Sequence, residues 1–489
     1  MGDSKDFKVG NVYGYLVHGQ WRKAQGEPLP SHSPVDGSLI GYVQSLSHEE
    51  VDEVYADSKE AQKGWAKLPI NQRAAILRKA ADILAQEADD LGLMLEKEIS
   101  KDKASSRNEV LRTAELIRYT ADEGEHLRGI AAGSDVFPGM PNDRIAIITR
   151  EPLGVVLAIS PFNYPVNLAA SKIAPALIAG NSVVMKPATA GVICTLYLAD
   201  AFVRAGIPAG VLNVVTGKGS VIGDYLVEHP AVDFINFTGS TLVGQGIAKK
   251  AGMVPLLLEL GGKDAAIVLS DADLDKAAKE IVNGAYSYSG QRCTAIKRVL
   301  VEDKVADKLI AKIKPLVEKL KVGTPESGAF ITPLISQKAA DYVESLITDA
   351  IDRKATVVVG GKHEKNLIWP VLLDNVTTDM RVAWEEPFGP VLPIIRVKDA
   401  KEAVAIANKS EYGLQSAVFT QDIDKAMAVA QALEVGTVHV NGRTERGPDN
   451  FPFLGVKNSG LGTQGIRYSI EAMSRPRVVV VHQGHNPLD

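Results

Sequence analysis

The 489-residue sequence has little cysteine and no long apolar run. Two cysteines cannot build a disulfide framework, which excludes a disulfide-stabilised secreted fold and favours a reducing compartment. No apolar stretch approaches the roughly 20 residues of a membrane-spanning helix. The charged opening, MGDSKDFKVG, lacks the apolar segment of a signal peptide. We therefore expect a cytoplasmic protein with no membrane partner.

The chain also lacks a strong excess of charge. Its 54 basic and 59 acidic side chains give a formal net charge of −5, which argues against a nucleic-acid partner. Hydrophobic residues make up 45% and charged residues 23%, as in globular proteins. The length is sufficient for two or three units, each with its own core.

The N-terminal part is predicted to be helical, and the remainder alternates strands and helices. Ser47 and Glu50 have the spacing of a capping box that begins a helix, and helical patterns follow at roughly 72–98 and 103–127. From Gly154, the β-branched segments GVVLAIS, SVVMKP, VLNVVTG and VDFINFTGS each precede a helical stretch. This order predicts βα units and a parallel sheet, and a second such series begins with DAAIVLS.

Two further segments, RIAIITREP and RPRVVVVHQG, are predicted to be strands with no partner close in sequence. Because an unpaired strand edge is a template for another chain, such strands are candidates for contacts between subunits. We expect a homo-oligomer, either a dimer or a tetramer.

Cys293 is the first candidate for chemistry. It lies in SYSGQRCTAI, where Gly290 permits a tight turn and Arg292 brings a positive charge. A thiol, with an ordinary pKa of about 8.5, becomes nucleophilic when nearby charge stabilises the thiolate. The alternative is a small residue at the entrance to a strand. Cys194 falls on the apolar face of a predicted helix and is expected in the core.

Glu259 is the candidate general base. It ends the apolar segment of PLLLELGGKD, where an ionised carboxylate is costly unless it has partners. The alternative is a structural carboxylate paired with another group. The usual dinucleotide fingerprint is missing after GVVLAIS, where the loop is PFNYPVN. GKGSVIG, which contains Gly219, follows a strand and opens a helix without that fingerprint's spacing, so it indicates phosphate binding only weakly.

Together these segments resemble the aldehyde dehydrogenase superfamily. The shared motifs are SPFNYP, KPAT, FTGST, LELGGKD, GQRCT, EEPFGPV and NFPFLGVKNSGLG, in the family's order from about residue 30 onward. The resemblance implies an α/β fold with a Rossmann-type cofactor domain, an α/β catalytic domain and a small β oligomerisation arm. The implied ranges are 1–129 with 152–260 for the cofactor domain, 261–465 for the catalytic domain, and 130–151 with 466–489 for the oligomerisation strands.

The resemblance also implies a covalent mechanism. Cys293 would attack the aldehyde carbon, and the Asn163 amide and the Cys293 N–H would hold the oxyanion of the thiohemiacetal. After hydride transfer, Glu259 would deprotonate the water that hydrolyses the thioester. The implied cofactor contacts are the nicotinamide ribose for Glu386, the nicotinamide ring for Phe388 and the pyrophosphate for Ser240 at a helix N-terminus. Otherwise Glu386 and Phe388 would be a surface charge and a core aromatic.

NADP is the expected cofactor. NAD-preferring relatives often carry a glutamate where Thr189 stands, and such a carboxylate would repel a 2′-phosphate. Threonine removes that repulsion, and Lys186 supplies a positive charge. Otherwise, a solvated lysine and a turn threonine would say nothing about the cofactor.

Several positions resemble the non-phosphorylating, NADP-dependent glyceraldehyde-3-phosphate dehydrogenases of that superfamily. Their arginines suit a phosphate dianion, which needs several charge-assisted donors. Each arginine also has a structural alternative, such as helix ion pairs of Arg112 with Glu109 and Glu115. The implied substrate-binding residues are Arg112, Tyr164, Arg292, Thr294 and Arg446.

The sequence leaves three alternatives open. One is a dehydrogenase of another small or acidic aldehyde, such as lactaldehyde or succinate semialdehyde. The second is an acylating enzyme that passes the thioester to phosphate or coenzyme A, which Glu259 disfavours. The third is a non-catalytic binding protein on the same fold, which the presence of Cys293, Asn163 and Glu259 disfavours.

Overall fold

The computed structural model describes residues 7–127 and 129–483. The α-helices, in chain order, are α1 (His48–Lys67), α2 (Ile70–Gln86), α3 (Ala88–Ile99), α4 (Lys103–Glu125), α5 (Asn167–Ala179), α6 (Val192–Ala205), α7 (Gly219–Glu228), α8 (Thr241–Lys250), α9 (Leu274–Tyr286), α10 (Asp303–Glu318), α11 (Gln337–Asp352), α12 (Ala400–Asn408), α13 (Ile423–Ala432) and α14 (Ile466–Ala472).

The strands of the first half, in chain order, are β1 (Lys8–Val9), β2 (Val12–Tyr13), β3 (Tyr15–Val17), β4 (Gln20–Arg22), β5 (Leu29–His32), β6 (Leu39–Val43), β7 (Ile130–Gly133), β8 (Arg144–Pro152), β9 (Val155–Ile159), β10 (Ser182–Lys186), β11 (Leu212–Val214), β12 (Phe234–Thr238) and β13 (Leu256–Glu259). Those of the second half are β14 (Ala265–Val268), β15 (Arg298–Glu302), β16 (Thr356–Val359), β17 (His363–Glu364), β18 (Leu367–Ile368), β19 (Val371–Asp374), β20 (Val391–Val397), β21 (Tyr412–Gly413), β22 (Gln415–Phe419), β23 (Thr437–Val440), β24 (Phe453–Leu454), β25 (Val456–Lys457), β26 (Gly460–Leu461), β27 (Thr463–Gln464) and β28 (Ser474–His482).

An eight-stranded sheet has the order β26-β13-β12-β9-β10-β11-β3-β4. The strands from β13 to β11 run parallel, as the βα pattern predicts, and β26 and β3 join them antiparallel. One apolar cluster packs helices α2 to α6 on this sheet, and a second packs α1, α7 and α8. Both faces are therefore covered, which explains the continuous apolar runs of its strands.

A seven-stranded sheet has the order β16-β19-β20-β15-β14-β22-β23. It is parallel except for its edge strand β16, which is antiparallel to β19. Helices α9 and α10 contribute to one apolar cluster on this sheet, and α11, α12 and α13 contribute to another. The second α/β series of the sequence accordingly forms a second sheet with its own core. The domain limits at residues 260 and 465 stay a prediction.

The predicted start of the first helix is confirmed, but the single helix predicted at roughly 72–98 is wrong. Ser47 caps α1, and the reciprocal bonds of the capping box with Glu50 are present. The pattern at roughly 72–98, however, forms two helices rather than one, because the backbone leaves the helix at Glu87. Neither glycine nor proline marks this break. The Glu87 carboxylate instead accepts a hydrogen bond from Arg204 of α6, a tertiary contact that no local pattern encodes.

The two strands predicted to lack a local partner pair with each other, but that prediction is wrong for the first, which also pairs with a strand close in sequence. Strand β28 runs antiparallel to β8 along nine residue pairs, and β7 adds a third strand on the far side of β8. Helix α14 occupies 466–472, so the strand begins only at Ser474. Four consecutive valines of β28, Val478–Val481, are 47–54% exposed. The predicted contact with another subunit stays a prediction, and residues 484–489 of it lie outside the described part. Across residues 7–127 and 129–483, we find no helix whose length and apolarity would let it cross a bilayer.

Candidate active site

Cys293 lies in a strained loop between α9 and β15. Tyr288, Ser289 and Gly290 all have positive φ angles, of 51°, 53° and 73°. A Cβ on Gly290 would lie 2.3 Å from the carbonyl oxygen of Gly389, so only glycine fits this approach. The loop therefore packs directly against the backbone of EEPFGPV.

Arg292 does not face the thiol, contrary to the sequence-based expectation. Its guanidinium donates to the carbonyl oxygens of Gly284 and Ser287, on the helix side of the loop. A side chain adjacent in sequence points away here because the backbone turns between the two residues. The cation at the cysteine is Lys297 instead, whose Nζ donates to the carbonyl oxygen of Cys293.

The resting cysteine is a thiol. Although Cys293 keeps some solvent exposure, burial of the sulfur and the negative charge of Glu259 raise the pKa of the thiol to about 12. The positive charge of Lys297 opposes this shift. Desolvation disfavours the thiolate because water no longer solvates its charge.

Asn163 meets the cysteine loop from the other sheet. It lies in the turn between β9 and α5, is 3% exposed, and its Nδ2 donates to the carbonyl oxygen of Gln291 at 2.9 Å. The predicted oxyanion amide thus contacts the cysteine loop at Gln291, two residues before Cys293. Its role as an oxyanion donor stays a prediction.

A buried ion pair holds the turn that carries Asn163. Lys101 and Glu109 are in contact with each other, and both side chains are completely buried. The Lys101 Nζ also donates to the Asn163 carbonyl oxygen at 2.9 Å and lies 3.4 Å from the ring centroid of Tyr164. The other Glu109 oxygen accepts the N–H groups of Val166 and Asn167. One pair therefore fixes both ends of the turn.

Glu259 ends β13 with 3% exposure, but its setting is not apolar. One carboxylate oxygen pairs with Arg446, and the other accepts the Thr238 hydroxyl at 2.8 Å. Lys172 donates to the same hydroxyl oxygen at 2.6 Å. Burial lowers the pKa of Lys172 to about 7, while the charge of Glu259 raises it. Glu259 therefore has two direct partners, Arg446 and Thr238, and the Thr238 hydroxyl connects it to Lys172.

The predicted substrate arginines fall into two groups. Arg446 donates to Glu259 and, at 2.6 Å, to the side-chain oxygen of Gln464. Arg112 makes a bidentate contact with Asp449 at 2.8 and 2.9 Å and donates to the Arg446 carbonyl oxygen. Arg112 therefore pairs with a residue far along the chain and not with its helix neighbours. Arg446 thus contacts Glu259 and Arg112 contacts the Arg446 backbone, whereas Arg292 points to the helix side of its loop.

Tyr164 and Thr294 flank the same region. Tyr164 packs edge-on against Tyr288 with ring centroids 6.2 Å apart, beside Lys101. Thr294 is 4% exposed, and its carbonyl oxygen accepts the Thr444 hydroxyl at 2.8 Å. This bond ties the cysteine loop to the segment that leads to Arg446.

The residues predicted for the phosphates of a dinucleotide lie at the carboxyl ends of parallel strands. Gly219 begins α7 and Ser240 precedes α8, and both residues are exposed. Neither helix has a side-chain cap at its N-terminus, so its first N–H groups lack that partner. Thr189 is exposed, whereas Lys186 is buried and its Nζ donates to the Pro187 carbonyl oxygen at 2.8 Å. Burial lowers the pKa of Lys186 to about 8.

Glu386 and Phe388 lie on the opposite side of the same cleft. One Glu386 oxygen accepts the Gly262 N–H at 3.0 Å and lies 3.2 Å from the Lys297 Nζ. Phe388, with a φ of 49°, packs edge-on against Phe162 with ring centroids 5.9 Å apart. Lys297 therefore links the predicted ribose carboxylate to the cysteine backbone.

Several residues of the site were missed by the sequence analysis. Lys172 carried the clearest signal, because a lysine inside the otherwise apolar helix α5 is rarely buried without a function. The others occur in ordinary polar contexts, and only their long-range contacts reveal them. The missed residues are Lys101, Glu109, Lys172, Thr238, Lys297, Asp449 and Gln464.

Comparison with known proteins places this arrangement in context. The model of the aldehyde dehydrogenase family matches residues 21–479. An NADP-dependent glyceraldehyde-3-phosphate dehydrogenase of Streptococcus equinus is 59% identical over 468 residues, covering 96% of this chain and 98% of that protein. The protein of the same name from Nicotiana plumbaginifolia is 50% identical over 480 residues, covering 98% and 97%.

A solved structure is similarly close. The NADP complex of the NADP-dependent glyceraldehyde-3-phosphate dehydrogenase from Bacillus halodurans C-125 superposes with a TM-score of 0.96 at 54% sequence identity. The match covers 96% of this chain and 99% of the other.

Proposed function

The chain belongs to the aldehyde dehydrogenase family, and we propose that it oxidises D-glyceraldehyde 3-phosphate to 3-phosphoglycerate with NADP and water, without consuming inorganic phosphate. The observation that carries this proposal is a series of contacts that begins at Glu259, whose charge acts on the Cys293 thiol. Glu259 pairs with Arg446, and Arg112 donates to the Arg446 carbonyl oxygen. A base for hydrolysis is thereby linked to two guanidinium groups that suit a phosphate. The similarity to proteins named for this activity supports it.

The residues present fit NADP. The uncapped N-termini of α7 and α8 offer N–H groups and a positive dipole end to the phosphates. Thr189 presents no carboxylate to a 2′-phosphate, and Glu386 is positioned to accept ribose hydroxyls. When bound, NADP accepts the hydride of the substrate.

Acylation depends on Cys293 and Asn163. The Cys293 thiol loses its proton to solvent, which it partly contacts, as its sulfur attacks the aldehyde carbon. The Asn163 amide and the Cys293 N–H donate to the oxyanion that forms. The Asn163 amide reaches it by exchanging its contact with Gln291. Such donors typically contribute about 2.7–4 kcal/mol each to the stability of the transition state.

Hydrolysis of the thioester depends on Glu259. Its carboxylate takes a proton from water as the water oxygen attacks the thioester carbon, and the Cys293 sulfur leaves. The Thr238 hydroxyl connects Glu259 to Lys172, whose pKa of about 7 suits it to exchange that proton near neutral pH.

The substrate phosphate is bound by arginines. Arg112 and Arg446 now contact the carboxylates of Asp449 and Glu259, contacts of the kind that a phosphate dianion can replace. Tyr164 and Thr294 would complete the phosphate site. Arg292 would join it only by leaving the carbonyl oxygens of Gly284 and Ser287.

The test is a substrate panel assayed with NADP and with NAD, in buffer free of phosphate and coenzyme A. We expect kcat/KM to be highest for glyceraldehyde 3-phosphate with NADP. Higher values for lactaldehyde or succinate semialdehyde would assign another substrate. A requirement for added phosphate or coenzyme A would replace hydrolysis by acyl transfer. A protein that does not quench or enhance NADPH fluorescence would be a scaffold.

A further inference from the structure

Both terminal nitrogens of the Arg446 guanidinium have protein partners. One pairs with Glu259, and the other donates to Gln464 at 2.6 Å. The Nε lies 3.8 Å from Asp449, within ion-pair distance. The Arg446 side chain is 14% exposed, and its guanidinium carbon lies 5.0 Å from the ring centroid of Phe453. A phosphate that approaches Arg446 therefore competes with Glu259 for the nitrogen between them.

Both oxygens of the Glu259 carboxylate also have protein partners. One oxygen pairs with Arg446, and the other accepts the Thr238 hydroxyl. The side chain is 3% exposed, which leaves little access for water. A carboxylate that is to activate water needs a free oxygen within hydrogen-bond reach of it. The contact between Arg446 and Glu259 therefore opposes both the binding of a phosphate by Arg446 and the activation of water by Glu259.

We propose that the Arg446–Glu259 ion pair is a latch that the substrate's phosphate opens. The proposal rests on the function proposed above and adds a second role for Arg446. The phosphate competes with Glu259 for the guanidinium, and the freed carboxylate then takes up the hydrolytic water. Selection for a phosphorylated aldehyde accordingly acts at thioester hydrolysis as well as at binding.

Thermodynamic linkage sets the expected size of the effect of phosphate on Glu259. If phosphate binding and release of Glu259 are coupled, each favours the other by the same factor, typically about 5–150-fold. An aldehyde without a phosphate still acylates Cys293, because neither the sulfur nor Asn163 depends on the pair. Its thioester then persists, since Glu259 stays bound to Arg446.

The experiment follows the lifetime of the acyl-enzyme made from unphosphorylated D-glyceraldehyde and NADP in a single turnover. Mass spectrometry of the quenched protein measures the acylated fraction. Sulfate serves as the probe, because it resembles the phosphate dianion and does not cleave thioesters. We expect sulfate to shorten the lifetime at least about fivefold, relative to sodium chloride of equal ionic strength.

Arg446→Gln removes the latch. Its glyceroyl thioester should hydrolyse faster than that of the wild type in the absence of sulfate, and sulfate should have no effect. Rates are compared at the plateau of the pH profile, so that a changed protonation of Glu259 is separated from its release. Arg443→Gln is the matched control, because Arg443 lies on the same segment and pairs with Glu280 and Glu445. It should respond to sulfate as the wild type does.

Two results would overturn the latch. One is a wild-type lifetime that sulfate leaves unchanged, and the other is an Arg446→Gln protein that sulfate still accelerates. If glyceraldehyde 3-phosphate is nevertheless oxidised efficiently by the wild type, the latch fails and the proposed function stands. If glyceraldehyde 3-phosphate is no better than glyceraldehyde, the proposed function fails instead. Should Arg446→Gln fold poorly, the response of the wild-type acyl-enzyme to sulfate decides the matter by itself.

Discussion

Individual residues of this site have chemical states that depend on their partners more than on their types. Cys293 is held as a thiol by burial and by Glu259, with Lys297 acting in the opposite direction. Thiol reactivity toward alkylating agents follows the thiolate population. The state of this one sulfur can therefore be measured directly.

Alkylation of Cys293 by iodoacetamide should remain slow at neutral pH in the free protein. Because the thiol pKa is raised to about 12, the rate should still rise from about pH 8 to about pH 10, where an ordinary thiol of pKa about 8.5 levels off. Stopped-time labelling with mass detection gives the profile, and Cys293→Ser supplies the background from Cys194. A plateau near pH 9 would contradict the assigned environment.

Glu259→Gln should separate the two chemical steps. The substitution keeps the shape of the side chain and removes the base, so one equivalent of NADPH should form rapidly and the steady-state rate should fall about 10²–10⁴-fold. Stopped-flow absorbance measures both phases, and Cys293→Ala, which cannot acylate, should show neither. Loss of the rapid phase in Glu259→Gln would place this residue in acylation instead.

At this scale the sequence named candidate reacting groups but not their partners. Cys293, Asn163 and Glu259 stood out because their motifs are distinctive, and Asn163 contacts the cysteine loop. Their catalytic roles stay a prediction. The contact of Arg112 with Asp449 and the direction of Arg292 depend on how distant segments fold together. A local pattern carries no information of that kind.

Among the elements, the turn between β9 and α5 depends on a buried ion pair. Lys101 contacts the Asn163 carbonyl oxygen and the Tyr164 ring, and Glu109 accepts the N–H groups of Val166 and Asn167. Neither charged side chain contacts solvent, so each needs the other to offset the cost of burying its charge. The position of the Asn163 amide therefore depends on two residues that lie outside the oxyanion site.

Lys101→Met should destabilise the protein and slow acylation. It leaves the Glu109 charge buried and unpaired, a loss of about 3–5 kcal/mol in the free energy of unfolding, measured by urea titration. The double variant Lys101→Met/Glu109→Gln should recover part of that stability while acylation stays slow, because the turn remains unanchored. If the double variant recovers wild-type burst kinetics, the pair serves stability alone.

Element types were largely predictable, and element boundaries were not. The capping box of α1 and the β-branched strands are local features, and the structure confirms them. The break at Glu87 and the antiparallel edge strand β16 are consequences of tertiary contacts. Packing overrode the helical pattern between the two helices.

Over the whole molecule, the three-stranded sheet of β7, β8 and β28 presents an unusual surface. The four exposed valines Val478–Val481 form a contiguous apolar strand at its edge. Monomeric proteins seldom leave such a surface in water, and edge strands readily pair with other chains. The expected homo-oligomer would use this sheet.

The paired substitution Val479→Lys with Val481→Lys should reduce the size of the assembly. The two side chains share one face of β28, and charges there oppose burial against another chain. Sedimentation velocity measures the mass, and Val357→Lys, an exposed valine of the edge strand β16, is the control. An unchanged mass in the double variant would show that this strand lies outside the subunit contact.

The short strand β26 also has a consequence for how the protein is made. Its two residues pair with Leu258 and Glu259, so the strand that bears the base is completed by a segment almost two hundred positions later. A chain emerging from the ribosome can form its N-terminal sheet early, but that edge stays open until residue 461 has left the exit tunnel. Catalytic competence should thus appear late in synthesis, and fragments released before that point should stay inert toward aldehydes.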